Sequence, residues 1–324
     1  MKLVVVIPAL NEAQTLPQTL DDLPEQVDGF DELEALVVDD GSDDGTSEIA
    51  FAHGVSRVVR FPQNRGLSEA FGAGIDAALR AGADVIVWFD ADNQYAGSGI
   101  SALVAPIVDG RADIVVGERR GAGVAEFSAA KRALQRLGSA VVRRASRTDV
   151  PDATSGFRAY SREAALRLNV LGRFTYTLES LIQAGRSGLA VASVPVETNP
   201  RLRTSRLFSS VPEYLVRSTT QLMRAYATYE PLRTFLYIAA VAFVGASVIF
   251  VRFLWYFAEG NGRGHIQSLI LGAVLAIVAF QALVLGILGD LLAANRRLLE
   301  RVLVRVRKLE LSLDEDHELE LKER

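Results

Sequence analysis

Asp90 and Asp92 flank Ala91 immediately after the hydrophobic run Val85–Phe89, and Gln94 follows two residues on. In an extended segment alternate side chains point the same way, so two carboxylates and an amide oxygen can converge on one hard cation. Mg²⁺ or Mn²⁺ held there can neutralise the leaving group of a nucleotide diphosphate. An Asp-x-Asp pair alone is common, and a solvated loop is its default reading. What tips the reading toward chemistry is that two more polar clusters close apolar runs of strand length. VVVIPALNE ends at Pro8 and Ala9 and delivers Asn11 and Glu12, and LVVDDGSDDGT ends at Asp39 and Asp40. A carboxylate so placed can accept the ring N–H of a nucleobase, while Gly41 and Gly45 permit the turn. Each has a plainer alternative: Asn11 as a helix N-cap, and Asp39–Asp40 as a turn capping a helix over Thr46–His53.

These residues need a sheet whose strands end along one edge. The apolar runs Leu3–Ile7, Ala35–Val38, Val55–Arg60, Val85–Phe89, Ile114–Gly117 and Leu189–Pro195 alternate with helix-like stretches such as Leu67–Ala81 and Glu126–Arg147. That order predicts an α/β fold with a mainly parallel sheet. Val and Ile occupy consecutive positions, as expected where helices cover both sheet faces. Gly82 reads as the stop of the Leu67–Ala81 helix. In an open sheet of this kind ligands sit at the carboxyl ends of the strands, where all three polar clusters fall.

The 324 residues carry 49% hydrophobic side chains at a mean hydropathy of +0.20, more apolar than an ordinary soluble enzyme. The excess lies in Thr234–Phe257, whose one charge is Arg252, and in the uncharged Ile266–Gly289. Each is long enough to cross a bilayer, and AEGNGRGH makes a tight turn between them, so a transmembrane helical hairpin is expected over 234–289. Arginines crowd both flanks, Arg201 to Arg233 before and Arg296 to Arg307 after, whereas the turn holds only Arg263. This asymmetry predicts an integral membrane protein with both termini and the catalytic domain cytosolic. The run Leu3–Ile7 is too brief for a signal-peptide core. Leu207–Glu230 mixes aromatics with Arg217 and Arg224, which suits interfacial helices over 207–233 or an ordinary packing helix. In 290–324, Leu299, Val302, Val306, Leu309 and Leu313 form a short heptad seam before an acidic, solvated tail, compatible with a homo-oligomer.

A net charge of −4 gives no field for nucleic acid, so no nucleic-acid partner is expected. With no Cys and three scattered His, disulfide scaffolds, thiolate metal sites and Cys nucleophiles are excluded. The glycines of Gly72-Ala73-Gly74 match part of a dinucleotide fingerprint but fall inside a helical stretch, which argues against a nicotinamide oxidoreductase.

The ordered motifs IPALNE, VVDDGSDDGT, NRGLSEAFGAG, DADNQ, DIVVGERR, DATSGFRAYSREA, ESLIQAGRSG and VPVETNPRLRTSRL resemble a family 2 glycosyltransferase with the GT-A fold. Within it the chain is most similar to polyprenyl- or dolichyl-phosphate sugar synthases with a C-terminal two-helix membrane anchor. The resemblance covers about residues 2–207, so that 1–206 is expected to form the catalytic domain. It implies that Pro8, Ala9, Asn11, Glu12 and Asp39 or Asp40 bind the nucleotide, that Asp90 and Ala91 also contact the donor, and that Asp90, Asp92 and Gln94 gather around Mg²⁺ or Mn²⁺. Arg119 would approach the diphosphate, Ser155-Gly156-Phe157-Arg158 would border the sugar, and Arg201 and Arg206 would close over donor and acceptor phosphates. Asp92, Arg119 and Arg201 are then the catalytic candidates. The chain departs from many relatives in having Leu10, Asn93 and the sequence Arg203-Thr204-Ser205-Arg206 where they carry other residues.

The expected reaction is inverting transfer of a hexose from a UDP- or GDP-linked sugar to polyprenyl or dolichyl phosphate at the cytosolic membrane face. A phosphate monoester is already largely ionised at neutral pH and needs no protein base. Transfer to a hydroxyl of a glycolipid or polysaccharide is the alternative, with Glu179 as the available base. A catalytically silent membrane scaffold is another.

Overall fold

The computed structural model describes residues 1–119, 148–169, 176–199, 231–260 and 266–322. The chain divides into two compact units, Met1–Leu215 with Leu303–Arg324, and Val216–Val302.

The first unit is built on β1 (Lys2–Ala9), β2 (Glu32–Asp39), β3 (Arg57–Arg60), β4 (Val85–Trp88), β5 (Ile114–Arg119), β6 (Arg158–Ser161) and β7 (Val191–Val196). They form one sheet in the order β3-β2-β1-β4-β6-β5-β7. All pairings are parallel except those of β6, which runs antiparallel between β4 and β5. The mainly parallel sheet read from the apolar runs is therefore present, and β6 is an addition to it. Its sequence is short and contains a charged residue, Arg158, so it carries no strand signature.

Helices α1 (Leu16–Asp21), α2 (Thr46–Ala52), α3 (Leu67–Arg80), α4 (Gly99–Val108), α5 (Arg162–Arg167) and α6 (Tyr176–Arg186) complete the described part of this layer. Side chains from α3, α5 and α6 pack on the sheet face of Val4, Val6, Leu36, Val38, Ile86 and Trp88. Those from α1, α2 and α4 pack on the opposite face, with Leu3, Val5, Ile7, Val37, Val87 and Phe89. Consecutive residues of β1 thus enter two cores, which is why the strand reads as an unbroken apolar run. Gly72 and Gly74 lie within α3, and Gly82 follows its C-cap in the left-handed region, as the sequence led one to expect.

The second unit contains α7 (Pro231–Ala258) and most of α8 (Ile266–Lys322). Both are long and apolar enough to cross a membrane. The described part of α7 includes the expected span from Thr234 to Phe257. The small residues Ala239, Ala246, Ala279, Ala282 and Ala293 are buried, while Phe243, Trp255 and Phe280 are exposed. That is the arrangement of helices that pack through small side chains and turn bulky ones toward lipid.

The end of α8 belongs to the first unit and is docked rather than free in solvent. Arg307 donates to the carbonyls of Leu166 (3.4 Å) and Leu168 (2.9 Å) at the end of α5 and pairs with Asp76 of α3 at 3.3 Å. Lys308 pairs with Glu163 at 3.0 Å, Arg80 with Asp314, and Leu311 is buried against the sheet-face core. These contacts fall within and at the end of the seam, ahead of the acidic tail. The seam side chains Leu299, Val302, Val306, Leu309 and Leu313 are exposed. The Glu126–Arg147 stretch, residues 207–230 and the turn around Asn261 lie outside the described residues.

Candidate active site

Because β2, β1 and β4 are parallel neighbours, their carboxyl ends place Asp39–Asp40, Ala9–Glu12 and Asp90–Gln94 side by side. Strand β5 runs in the same sense, so Arg119 at its last position reaches the same edge. The reversed β6 brings its preceding residues, Ser155–Phe157, there too. One antiparallel strand thus adds a loop that a purely parallel sheet would send to the opposite edge.

The first two loops interlock. Asp40 N donates to Ala9 O at 2.9 Å, Asn11 N to Ser42 Oγ at 2.9 Å, Asp43 N to Asn11 Oδ1 at 3.0 Å, and Glu12 N to Thr46 Oγ1 at 3.0 Å. Asn11 is in the left-handed region at φ 55, and the N-cap of α1 is Thr15, so Asn11 is a loop clasp and not a cap. Asp39, fully buried, accepts from Ser42 N at 2.7 Å and from Ser47 Oγ. Asp40 accepts from the backbone N–H groups of Arg65 (2.7 Å) and Gly66 (2.9 Å). That clasp draws the 63–66 segment across Gly41, where a Cβ would lie 2.5 Å from the Gln63 carbonyl carbon. Gly41 is required by this crossing as well as by its φ of 82.

The third loop differs. Beyond Trp88 the chain leaves the strand and turns over, with Asn93 at φ 52 and Gln94 N bonded to Asp92 Oδ1 at 3.2 Å. Strand alternation therefore does not align Asp90, Asp92 and Gln94 as the sequence suggested. Asp90 and Asp92 still lie within electrostatic reach. Burial pushes the Asp90 carboxyl up to about 7, the charge of Asp92 adds to this, Arg119 opposes it, and Glu12 adds further. Among the described residues no three acidic or His side chains form a ready-made metal cage. Two oxygen donors short of positive charge do fit Mg²⁺ or Mn²⁺, which is typically bound through one or two carboxylates and substrate phosphates.

Below Asp90 lies a floor that sequence motifs did not reveal. A Cβ on Gly156 would lie 2.8 Å from Asp90 Oδ2, so only glycine lets the carboxylate rest there. The Gly156 peptide is held from both ends, its N–H donating to Tyr95 Oη at 3.3 Å and its carbonyl accepting from Tyr176 Oη at 3.1 Å. Arg158 is fully buried, donating to the carbonyls of Ser155 (2.8 Å), Ala153 (2.8 Å) and Thr177 (2.7 Å) and to Ser180 Oγ (2.9 Å). Ser155 and Phe157 are buried as well, so of the four residues expected to border a sugar only Gly156 is partly exposed.

Arg119 grips Asp152 through Nε (2.7 Å) and Nη2 (3.0 Å) and reaches Thr154 Oγ1 at 2.9 Å. Burial works against the charge of Asp152, but the bonds from Arg119 hold its carboxyl below the usual range. The guanidinium is thus fixed beside Asp90 by a partner that the motif DATSGF carries and the sequence reading did not use. After β7, Asn199 N bonds Gln94 O at 2.9 Å and Asn199 Nδ2 reaches Asn93 Oδ1 and Tyr95 O, both at 3.3 Å. Arg201 and Arg206 lie outside the described residues, but Arg201 follows this anchored asparagine by two positions.

The model of "Glycosyl transferase family 2" matches residues 4–168. Polyprenol monophosphomannose synthase of Mycolicibacterium smegmatis is 29% identical over 64% of this chain and 81% of its own. Glycosyltransferase AglJ of Haloferax volcanii is 26% identical over 92% of this chain and 96% of its own, a likeness that extends through the C-terminal helices. Glucosyl-3-phosphoglycerate synthase of Mycobacterium tuberculosis, solved with Mn²⁺, UDP and glucosyl-3-phosphoglycerate, is 27% identical with a TM-score of 0.52, over 70% of this chain and 78% of that one. With its carboxyl-edge acids on a mixed, mostly parallel sheet and a family match over half its length, the chain belongs to glycosyl transferase family 2.

Proposed function

We propose that this glycosyltransferase moves a hexose from a UDP- or GDP-linked sugar to polyprenyl or dolichyl phosphate, with inversion, at the cytosolic face of a membrane. The observation that carries the reading is the joining, in one chain, of the Asp90–Asp92 edge to two helices able to cross a bilayer. The similarity to a polyprenol monophosphomannose synthase supports a lipid phosphate acceptor, and the UDP and Mn²⁺ of the structural neighbour support a nucleotide donor with a divalent cation.

In this reading Pro8, Ala9, Asn11, Glu12 and Asp39 or Asp40 line the nucleotide. Asp90 and Asp92, with Gln94, would hold Mg²⁺ or Mn²⁺, whose charge offsets that of the departing diphosphate. Arg119, immobilised by Asp152 and Thr154, adds a fixed positive field at no reorganisation cost. Ser155 and Gly156 border the sugar on the floor held by Tyr95, Tyr176 and Arg158. An acceptor phosphate oxygen attacks the anomeric carbon from the side opposite the diphosphate, the C1–O bond to the diphosphate breaks, and configuration inverts. Arg201 begins at most about 7 Å of chain from Asn199, which suits a segment that closes over phosphates. The arginines flanking the hairpin support cytosolic termini.

A panel of UDP- and GDP-sugars, tested on membranes with and without polyprenyl phosphate, checks the reading. Nucleotide diphosphate release and a labelled lipid are expected only when the lipid phosphate is present. Release that follows an added hydroxyl acceptor and ignores lipid phosphate would overturn it. A cysteine at Asn261 should react only with reagents on the side opposite the termini.

A further inference from the structure

On α8, side chains spaced alternately by three and four residues run from Leu271 through Leu285 and Leu299 to Leu313, extending the seam seen near the C-terminus back through the apolar span. Every large apolar member is exposed, from Val278 at 40% to Leu292 at 69%, whereas Ala279, Ala282 and Ala293 on another face are buried. Two members are polar. Gln281 is exposed in the middle of the span, the one strongly polar side chain between Leu269 and Gly289, and Asn295 occupies the same seam position two heptads later.

We propose that this face of α8 joins to the same face of a second copy of the chain, as a parallel helix pair in which Gln281 and Asn295 set the register. Lipid accounts for exposed leucines within the span but gives no reason for an exposed glutamine there, since a primary amide in hydrocarbon lacks hydrogen-bond partners. A second Gln281 at the same depth supplies them. Nor does lipid cover the whole seam: from Leu271 to Val302 it extends about 46 Å at 1.5 Å per residue, against about 30 Å of hydrocarbon. Copies inserted in one membrane share orientation, so identical helices meet in parallel. In that arrangement exposed Arg305 and Glu310 take flanking positions that face each other across the pair, a complementary charge contact. The inference rests on the hairpin crossing the bilayer and is independent of the sugar-transfer reading.

The chain lacks cysteine, so each introduced thiol is unique. Single cysteines at Leu288, Leu299 and Val302, with Ile287 and Arg301 as controls at matching depths on another face, are oxidised in vesicles and the covalent dimer is measured. Seam positions are expected to cross-link at least about 5-fold more than controls. Gln281→Leu should lower the dimer-to-monomer ratio of the otherwise unmodified protein, read by single-molecule photobleaching, about 3- to 10-fold. Equal cross-linking at seam and control positions, or a wild type that counts as a monomer at every lipid dilution, would overturn the proposal. Neither readout depends on catalysis, so a failed acceptor screen leaves it standing or falling on its own.

Discussion

Two acidic pairs close β2 and β4, the strands on either side of β1 in one sheet, and they are put to opposite uses. Asp39 and Asp40 are nearly or wholly buried, and each of their four carboxylate oxygens accepts a hydrogen bond from within the protein. Asp90 is pushed toward its protonated form by burial first, and the charge of Asp92 on the same turn adds to this. The first pair is satisfied by its own chain and ties three loops together; the second stores a repulsion that a bound cation would relieve. Position at a strand's carboxyl end therefore does not identify a reactive acid. What identifies it is whether the protein has already met the demands of its oxygens.

The sharpest way to break this contrast is Asp92→Asn. Loss of one ligand charge should reduce transfer about 10³-fold, equivalent to several kcal/mol of lost electrostatic stabilisation. The same change removes the charge that opposes ionisation of Asp90, so the metal-free variant should unfold at a higher temperature than wild type above neutral pH. Transfer near the wild-type rate with Mn²⁺ present, or a lower melting point, would show that the pair is not poised for a cation.

Asp39→Ala should do the reverse, with stability as the first casualty. It leaves the Ser42 N–H and Ser47 hydroxyl without their acceptor in a buried turn, at about 1–3 kcal/mol for each unsatisfied group. The thermal midpoint should fall by about 5–15 °C, the scale for a domain of this size. Below that midpoint, a loss of turnover much greater than for Asp92→Asn would contradict the contrast and make Asp39 primarily a ligand contact.

The pH dependence of stability measures the stored repulsion directly. Asp90 binds its proton more tightly in the folded chain than in the unfolded one, so its contribution is fully present below about 4, the unfolded carboxyl value. It is lost as pH rises through about 7. In chelator, denaturation midpoints should therefore decline across this window, and Asp90→Asn should flatten the decline. Saturating Mg²⁺ should offset it, because metal and proton compete for the same oxygens. A slope unchanged by Asp90→Asn would place the repulsion elsewhere.

The contrast also shows where sequence reading reaches its limit. The parallel strands and the two long apolar helices were legible because each is a run of like residues with one physical cause, burial on two faces or passage through lipid. The acids were legible because a strand end is easy to locate. Strand β6 was not, since Arg158 breaks its apolar character and its burial is made possible by carbonyls of Ala153, Ser155 and Thr177 that no residue type encodes. Docking of α8 was hidden for the same reason: Arg307 looks like a membrane flank until the carbonyl ends of α5 are placed beside it. Likewise Tyr95 and Tyr176 hold the floor under Asp90 through the peptide of Gly156. Side chains that act through backbone groups distant in sequence leave no motif.

The smallest effect is expected at a third acid, outside both pairs. Glu179 lies in the first turn of α6, beside Ser180, whose hydroxyl accepts from Arg158. If the acceptor is a phosphate monoester, its nucleophilic oxygen is ionised before it arrives, and catalysis asks of the protein only placement and charge. Glu179→Gln should then keep transfer within about threefold of wild type. The rate should fall on acidification with an apparent pKa near ~6, the second ionisation of the acceptor. A hydroxyl acceptor needs a group to take its proton, and loss of a general base costs about 10²–10⁴-fold. A drop of that size in Glu179→Gln, with melting point and donor affinity unchanged, would transfer the role of reactive acid from the Asp90–Asp92 turn to α6. The contrast between the two strand-end pairs would then describe donor binding alone.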